Sequence, residues 1–438
     1  MPENSTALLI KPRLSLMMFL QYAIWGAWLP ILYPFLMGHR GFDLEQTGAC
    51  LAAGAVGAIF GPFLVGQLAD RTFSTERLLF VSHLVGAVLV WLLAEVESFN
   101  LFLALSLVYG FVYAPTISLT NSITLANIRD RDRDFGPIRL WGTLGWIAAG
   151  ILVGQYLLRF AMPEGLGPEE TAASLDAGRA MAFKMSAVLG VVMAFYCLSL
   201  PHTPPAREAR DRFAWAEALG EIRLQPLLTL FLVAVPVSMI HQFYFVYTAE
   251  FVSGIQTAAN SEGANKFANA VNQVLGVGGG GLMTIGQMSE IVVLALMPLL
   301  TKVFNRKALL CIGLLAYALR MAVFAYLPGL VPVLFGVALH GFCFGCFIFV
   351  AYMVVDEHTS KDVRATAQNL FNLVIIGIGI IVGSYFATGV IGRWATVDGG
   401  IDFVRLFSFP MWMAIGSLLV MLVAYPNRAI PLEASARS

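Results

Sequence analysis

Apolar residues in this chain come in long blocks rather than in alternation. Between short charged stretches lie runs of about 20 or more aliphatic, aromatic and small residues, the length a helix needs to cross a bilayer. Twelve such runs are expected to be helices, roughly over residues 14–37, 46–69, 77–95, 99–127, 136–160, 179–200, 225–252, 280–303, 307–327, 330–355, 362–390 and 402–425. A membrane barrel would instead show strands of about ten residues with alternating polarity, and no such pattern occurs. The most polar long stretch, "PHTPPAREARDRFAWAEALGEIR" at 201–223, follows the sixth run. It divides the chain into an N-terminal six-helix bundle (1–200), a cytoplasmic linker (201–224) and a C-terminal six-helix bundle (225–438). The expected fold is therefore an all-α membrane protein, with twelve transmembrane helices in two pseudo-symmetric six-helix bundles.

A weak repeat supports the division. The second run ends Pro62…Asp70-Arg71…Arg77-Leu78-Leu79, and the eighth ends Pro298…Arg306-Lys307-Ala308-Leu309-Leu310. Internal repeats with a site between them suit a transporter, because two halves can rock around a central cavity. Most of the 27 Lys and Arg residues fall in segments that are cytoplasmic if the N-terminus is inside, among them Arg129, Arg131, Arg133, Arg207, Arg210 and Arg212. That bias fixes the orientation, and an even number of spans places the C-terminus in the cytoplasm too. Lys11 and Arg13 precede the first run, which lacks a small-residue cleavage site and reads as a membrane helix rather than a removable signal. A multi-pass protein of the cell (inner) membrane is expected.

Composition agrees. The chain is 58% hydrophobic and 12% charged, with a mean hydropathy of +0.76, whereas soluble domains run at about 45–50% apolar and about 25% charged. Net charge is zero, so there is no basic excess to suggest nucleic acid. Cys50, Cys197, Cys311, Cys343 and Cys346 all lie in apolar runs, which implies no disulfide framework. Cys343 and Cys346 form a C-x-x-C on a helix, but no other Cys or His accompanies them at metal spacing. They read as small soft packing residues.

Ionisable residues inside a membrane span are functional candidates by default. The clearest is Glu290 in "IGQMSEIVVLALMPLL" (285–300), with Gln287 one turn before it on the same helix face. Burial disfavours the charged form of a carboxyl, so such a group can carry a proton at neutral pH. The bland alternative is a protonated Glu that bonds a neighbouring helix. A second cluster lies in "DFGPIRLWGTLGW" (134–146), where Asp134 is expected to cap a helix and Pro137 to sit in its first turn. Arg139, Thr143 and Trp146 follow on one face. Arg139 either offers its fork of donors to a solute or snorkels to the cytoplasmic interface, and spacing leaves both open. Other polar candidates are Gln21 with Trp25 and Trp28, Asn121, His241, Gln242, His340, Gln368, Asn369 and Asn372. Arg320, in the ninth run, reads as structural.

Three further signals are weaker. "GVGGGG" (276–281) lacks the Lys-Ser/Thr of a phosphate loop and reads as a flexible outer loop. "DEHTSKD" (356–362) sits at a cytoplasmic turn, where charged caps account for it better than a metal does. "GQLADRTFSTER" (66–77) resembles the loop signature of the major facilitator superfamily, in which Gly66 supplies a turn and Asp70, Arg71 and Arg77 hold helix ends together as a gating loop.

"FLQYAIWGAWLPIL", "FGPIRLWGTLGW", "GQMSEIVVLALMPLL" and "RATAQNLF" resemble corresponding segments of the nucleoside:proton symporter family of that superfamily, from the first run to the eleventh. The resemblance implies a proton-coupled nucleoside carrier, monomeric and without a cofactor. It implies substrate contacts from Arg139, Thr143, Trp146, Gln242, Gln287, Glu290 and Phe344, with Trp25, Asn121, Phe245 and His340 as further candidates and Glu290 as the proton-coupling group. Two positions depart from the family pattern. Its Tyr-Gly-x-x-Phe-Asp reads His340-Gly341-Phe342-Cys343-Phe344-Gly345 here, so the aspartate is absent, and Phe245 replaces an asparagine.

Rival readings predict different things. A carrier of a sugar or other polar metabolite would keep the fold and change the cargo. A membrane enzyme acting on lipids or glycans would cluster catalytic residues at one face, where only helix-end charges occur. A nutrient receptor would bind without uptake and would not need two similar halves.

Overall fold

The computed structural model describes residues 3–71, 74–162, 167–204, 214–261, 266–360 and 363–427. In chain order the spans are α1 (Ile10–His39), α2 (Leu44–Arg71), α3 (Thr75–Glu95), α4 (Phe99–Asn127), α5 (Arg133–Phe160) and α6 (Glu169–Cys197), then α7 (Leu227–Ala259), α8 (Gly280–Val303), α9 (Arg306–Tyr326), α10 (Leu330–Glu357), α11 (Thr366–Ala395) and α12 (Phe403–Ala424). Eleven are long and apolar enough to cross a membrane over described residues. The other, α2, is a 28-residue helix at the place of the second expected span. One two-residue hairpin follows α11, with Thr396 opposite Ile401 and Val397 opposite Gly400. Large apolar side chains line outer faces, for example Val81, Val85, Val88 and Leu92 of α3. Lipid can cover such a surface, and a helix satisfies its own backbone there.

The chain forms two compact units. The first comprises Met1–Glu208 with Val246–Thr284, and the second Ala209–Phe245 with Ile285–Ser438. The end of α7 and the start of α8 group with the first unit.

In the first unit α1 packs on α5, α2 on α4 and α3 on α6. The sixth helical stretch starts earlier than expected and is interrupted at Arg179. The cap of the fifth helix is Asp130, whose side chain accepts from the Arg133 amide. Asp134 is thus already inside the helix, where it pairs with Lys11 at 2.6 Å, and Pro137 lies beyond the first turn. Gly66 also lies within a helix, because α2 runs on through Arg71. The surroundings of Gly66 and the side chains of Asp70 and Arg71 fall outside the described residues, and Arg77 is exposed.

The glycine run is not a loose loop. Gly276, Gly278 and Gly279 have φ of 77°, 79° and 83°, a region that disfavours any Cβ. All three are buried. A Cβ on Gly276 would strike the Gly154 carbonyl, and one on Gly279 the Ala249 carbonyl. Val277 donates its amide to Gly154 O at 3.1 Å. The run is a packed turn that launches α8.

In the second unit α9 packs on α12 and α10. Wider π-helical turns interrupt α10 at Cys343–Phe349 and α11 at Leu373–Ile378 and Phe386–Gly392. Such turns re-aim side chains and recur at functional sites.

Candidate functional site

The candidate residues fall in both units. In the first unit the crossing of α1 and α5 is set by missing side chains. A Cβ on Gly142 would lie 2.6 Å from Tyr22 Cδ2, and one on Gly26 would lie 2.7 Å from Trp146 Cα. A Cβ on Gly145 would strike the Phe19 carbonyl. Small residues let membrane helices approach backbone to backbone. On the partly exposed face of α5 stand Arg139, Thr143 and Trp146, all half-buried. The Arg139 guanidinium lies 3.9 Å from the centroid of the Tyr22 ring. That is a cation–π arrangement, held inside the unit rather than extended as a free surface arm.

Aromatic rings continue behind this face. Trp25 lies 5.1 Å from Tyr113, and Tyr109 stacks on Tyr113 at 5.1 Å and 11°. Tyr113 donates its hydroxyl to Gln21 O at 2.7 Å, Gln21 Nε2 donates to Thr116 Oγ1 at 2.7 Å, and His83 Nε2 lies 2.8 Å from Gln21 Oε1. This buried network locks α1, α3 and α4 together. Sequence reading named Gln21 but missed Tyr22, His83, Tyr109 and Tyr113. The available signal was the tyrosine pair four residues apart on α4. Asn121 is half-buried, and its Oδ1 has no hydrogen-bond partner among the described residues.

In the second unit Gln242 and Gln287 are both 7% exposed. Ser384 Oγ donates to Gln242 Oε1 at 3.3 Å. Gln287 Oε1 is buried with no partner among the described residues, an arrangement that costs about 1–3 kcal/mol when nothing fills it. Phe245 is half-buried, with its ring 5.0 Å from His241.

Glu290 is brought to its neighbours by a second tight crossing, of α8 on α10. A Cβ on Gly286 would sit 3.0 Å from His340 Cβ, and one on Gly341 would strike the Ser289 backbone. Gly341 donates its amide to Ser289 Oγ at 2.9 Å. The Glu290 side chain is 13% exposed, and its Oε2 lies 3.9 Å from His340 Nε2. The other ring nitrogen, Nδ1, accepts from Arg320 Nη1 at 3.1 Å. Arg320 is fully buried, with its guanidinium 4.2 Å from the Tyr244 ring centroid and 5.0 Å from that of Tyr317. The residue read as merely structural from its span is thus in contact with the neighbour of Glu290.

Phe344 is half-buried within the π-helical turn of α10. The next residue, Gly345, stands where the resemblance implies an aspartate, and a Cβ there would lie 2.6 Å from Val293 Cγ1. Val293 fills the space an aspartate would need. At the turn that follows α10 Asp356 lies 3.6 Å from Arg364 and accepts from Gln368, while Glu357 pairs with Arg306. The Lys361 and Asp362 of that motif lie outside the described residues. Among the described residues no three His, Cys, Asp or Glu side chains could hold a metal together.

The family model described as "Nucleoside H+ symporter" matches residues 8–428. A putative nucleoside transporter, YegT of Escherichia coli (strain K12), is 32% identical over 420 residues, covering 94% of this chain and 91% of its own. The nucleoside permease NupG of the same organism is 26% identical, with 90% of each chain covered. The xanthosine permease is also 26% identical, with 91% of each covered. The crystal structure of nucleoside transporter NupG superimposes with a TM-score of 0.78 at 24% identity, over 95% of this chain and 100% of that one. A bacterial homologue of the lysosomal transporter Spinster, at 16% identity, shares the fold with a TM-score of 0.66. Eleven described helices long and apolar enough to cross a membrane and a family match over nearly the whole length agree that this chain belongs to the nucleoside H+ symporter family.

Proposed function

We propose that the protein imports nucleosides together with protons across the cell (inner) membrane. It would act as a monomer with both termini in the cytoplasm, by alternating access of two six-helix bundles. Arg139, Thr143 and Trp146 of the first unit and Gln242, Gln287, Glu290 and Phe344 of the second are the proposed substrate contacts, with Trp25, Asn121, Phe245 and His340 as further ones. A nucleoside offers a flat base to aromatic faces and ribose hydroxyls to amide and carboxyl groups, which is the chemistry these side chains supply. One observation carries the reading. Glu290, an acidic side chain within a membrane span, is mostly shielded and sits one turn from Gln287, whose buried carbonyl has no partner among the described residues.

Coupling one proton per nucleoside sets the available work. A potential of 100 mV supplies about 2.3 kcal/mol and one pH unit about 1.4 kcal/mol. Together they sustain an accumulation of roughly 500-fold. Glu290→Gln keeps the shape and an acceptor but cannot release a proton. In proteoliposomes it should abolish gradient-driven accumulation while leaving measurable exchange of labelled uridine. Full concentrative uptake by this variant would refute the assignment. Counterflow against a panel of unlabelled nucleosides, sugars and other polar metabolites tests the cargo.

A further inference from the structure

We infer that Arg320 is a positioning residue for proton coupling. It holds His340 as the neutral imidazole with its hydrogen on Nε2, the nitrogen that faces Glu290. This rests on reading Glu290 as the proton-coupling group and adds two residues to it, assigning each a protonation state.

The argument starts from what a guanidinium can do. Arginine has donors and no acceptor. At 3.1 Å, His340 Nδ1 must therefore meet Arg320 Nη1 with its lone pair. A neutral ring with a lone pair on Nδ1 carries its hydrogen on Nε2. A doubly protonated ring would press an N–H against the guanidinium and place two cations in contact where both side chains are buried, Arg320 at 0% and His340 at 3% exposure. Arg320 does not release its proton, so the constraint is permanent. Arg320 Nε and Nη2 have no hydrogen-bond partner among the described residues. The aromatic faces of Tyr244 and Tyr317 hold the charge instead.

The surroundings of His340 sharpen the assignment. On α7, the Tyr244 ring stacks on it at 5.1 Å and the His241 ring lies 5.5 Å away. His241 Nδ1 shares a 3.0 Å hydrogen bond with the Tyr317 hydroxyl of α9. On α10 itself, Cys343 is buried one turn on. From α8 comes Glu290 Oε2, 3.9 Å from Nε2. Glu290 is the carboxylate of this group, which otherwise consists of Arg320, two imidazoles, two phenols and a thiol. The Gly286 and Gly341 crossing fixes the approach of α8 to α10, so the facing of ring and carboxyl belongs to the backbone packing.

Two consequences follow. His340 presents its Nε2–H toward the ionised carboxylate, 3.9 Å away, and is not a second proton store. Arg320 acts on Glu290 through the ring, as a fixed positive charge that favours the ionised state. Losing that charge makes the neutral carboxyl easier to form, so the pH profile of uptake should move to higher pH.

The direct test uses the unaltered protein in lipid nanodiscs, labelled with ¹⁵N-histidine. His340 is assigned by subtraction of the His340→Gln spectrum. The expected signal is the neutral Nε2–H tautomer, unchanged from about pH 5 to 8, the range in which an ordinary histidine titrates. An imidazolium at the acid end, or an Nδ1–H tautomer, would overturn the inference whatever the variants do.

The second test measures pH-driven accumulation of labelled uridine and adenosine in proteoliposomes across the same range. Arg320→Met and His340→Phe should shift the half-maximal point upward by about one pH unit, a tenfold change in proton concentration. In His340→Gln variants that still exchange substrate, the half-maximal pH should lie closer to the parent's than in His340→Phe, because the amide can accept from Arg320 and present an N–H toward Glu290. Unshifted profiles in Arg320→Met and His340→Phe variants that still exchange substrate would also overturn it. If the parent protein accumulates neither probe, the functional reading fails while the tautomer result still stands.

Discussion

Gly345 is the position at which this chain most visibly leaves its family's pattern, and the packing around it predicts what restoring the pattern does. A Cβ at 345 would lie 2.6 Å from Val293 Cγ1, 3.5 Å from Val293 Cβ and 3.6 Å from Met297 Cε. The first distance is impossible without movement. Overpacking a filled site costs about 1–3 kcal/mol, while alanine regains up to about 1 kcal/mol of helix propensity over glycine. Gly345→Ala should therefore cost about 0–2 kcal/mol. Gly345→Asp adds a buried carboxyl without a built partner, at about 1–3 kcal/mol more. The Asp variant should thus fall roughly 1–5 kcal/mol below the parent, a change of at least about fivefold in the unfolding equilibrium. Unfolding in mixed micelles with rising SDS gives the order of midpoints: parent, then Gly345→Ala, then Gly345→Asp. Combining Gly345→Ala with Val293→Ala should regain what the first change lost by steric conflict. An Asp variant that unfolds at the parent's midpoint would show that Val293 yields freely, and the packing account of the missing aspartate would be wrong.

Arg139→Lys keeps the charge but loses the planar group over Tyr22, so nucleoside binding should fall strongly in both Arg139→Lys and Arg139→Ala at normal expression; near-parent affinity in the Lys variant would return Arg139 to a structural role. Trp146→Leu and Phe344→Leu keep apolar volume but lose the ring face, and each should weaken binding by about 1–3 kcal/mol by comparison with base stacking elsewhere. Calorimetric titration of uridine checks this, and unchanged affinities would move the stacking role to Trp25 or Phe245.

The twelve helices were legible because the bilayer imposes one length and one composition on each span, and block boundaries record both. Glu290 and the face of Arg139, Thr143 and Trp146 were legible because helical spacing places residues on faces. What spacing does not encode is which face of another helix stands opposite. Arg320 was therefore judged by its span alone, and its contact with His340 depends on how α9 and α10 cross. The glycine run misled for a related reason. Four consecutive glycines at 278–281 read as slack, yet Gly279 is buried against Ala249 on the preceding helix, and Gly276 just before the run against Gly154, far off in sequence. Asp134 reads as a cap because a proline follows one turn on, whereas Asp130 is equally suited and begins the helix one turn earlier.

The close seam between α1 and α5 bears on how mutational maps of this protein should be read. Gly26, Gly142 and Gly145 have no side chain to offer a solute, yet any Cβ there would push apart the two helices that carry Tyr22 and Arg139. A saturation screen for uptake would then score these glycines, and Phe19, alongside Arg139 and Trp146. The transport-sensitive positions would outnumber the true solute contacts, and ranking by phenotype alone would mistake the hinge pin for the handle. Tyr22 belongs to both classes, since its ring packs on Gly142 in the seam and also carries the Arg139 guanidinium, so a change there alters packing and solute contact together.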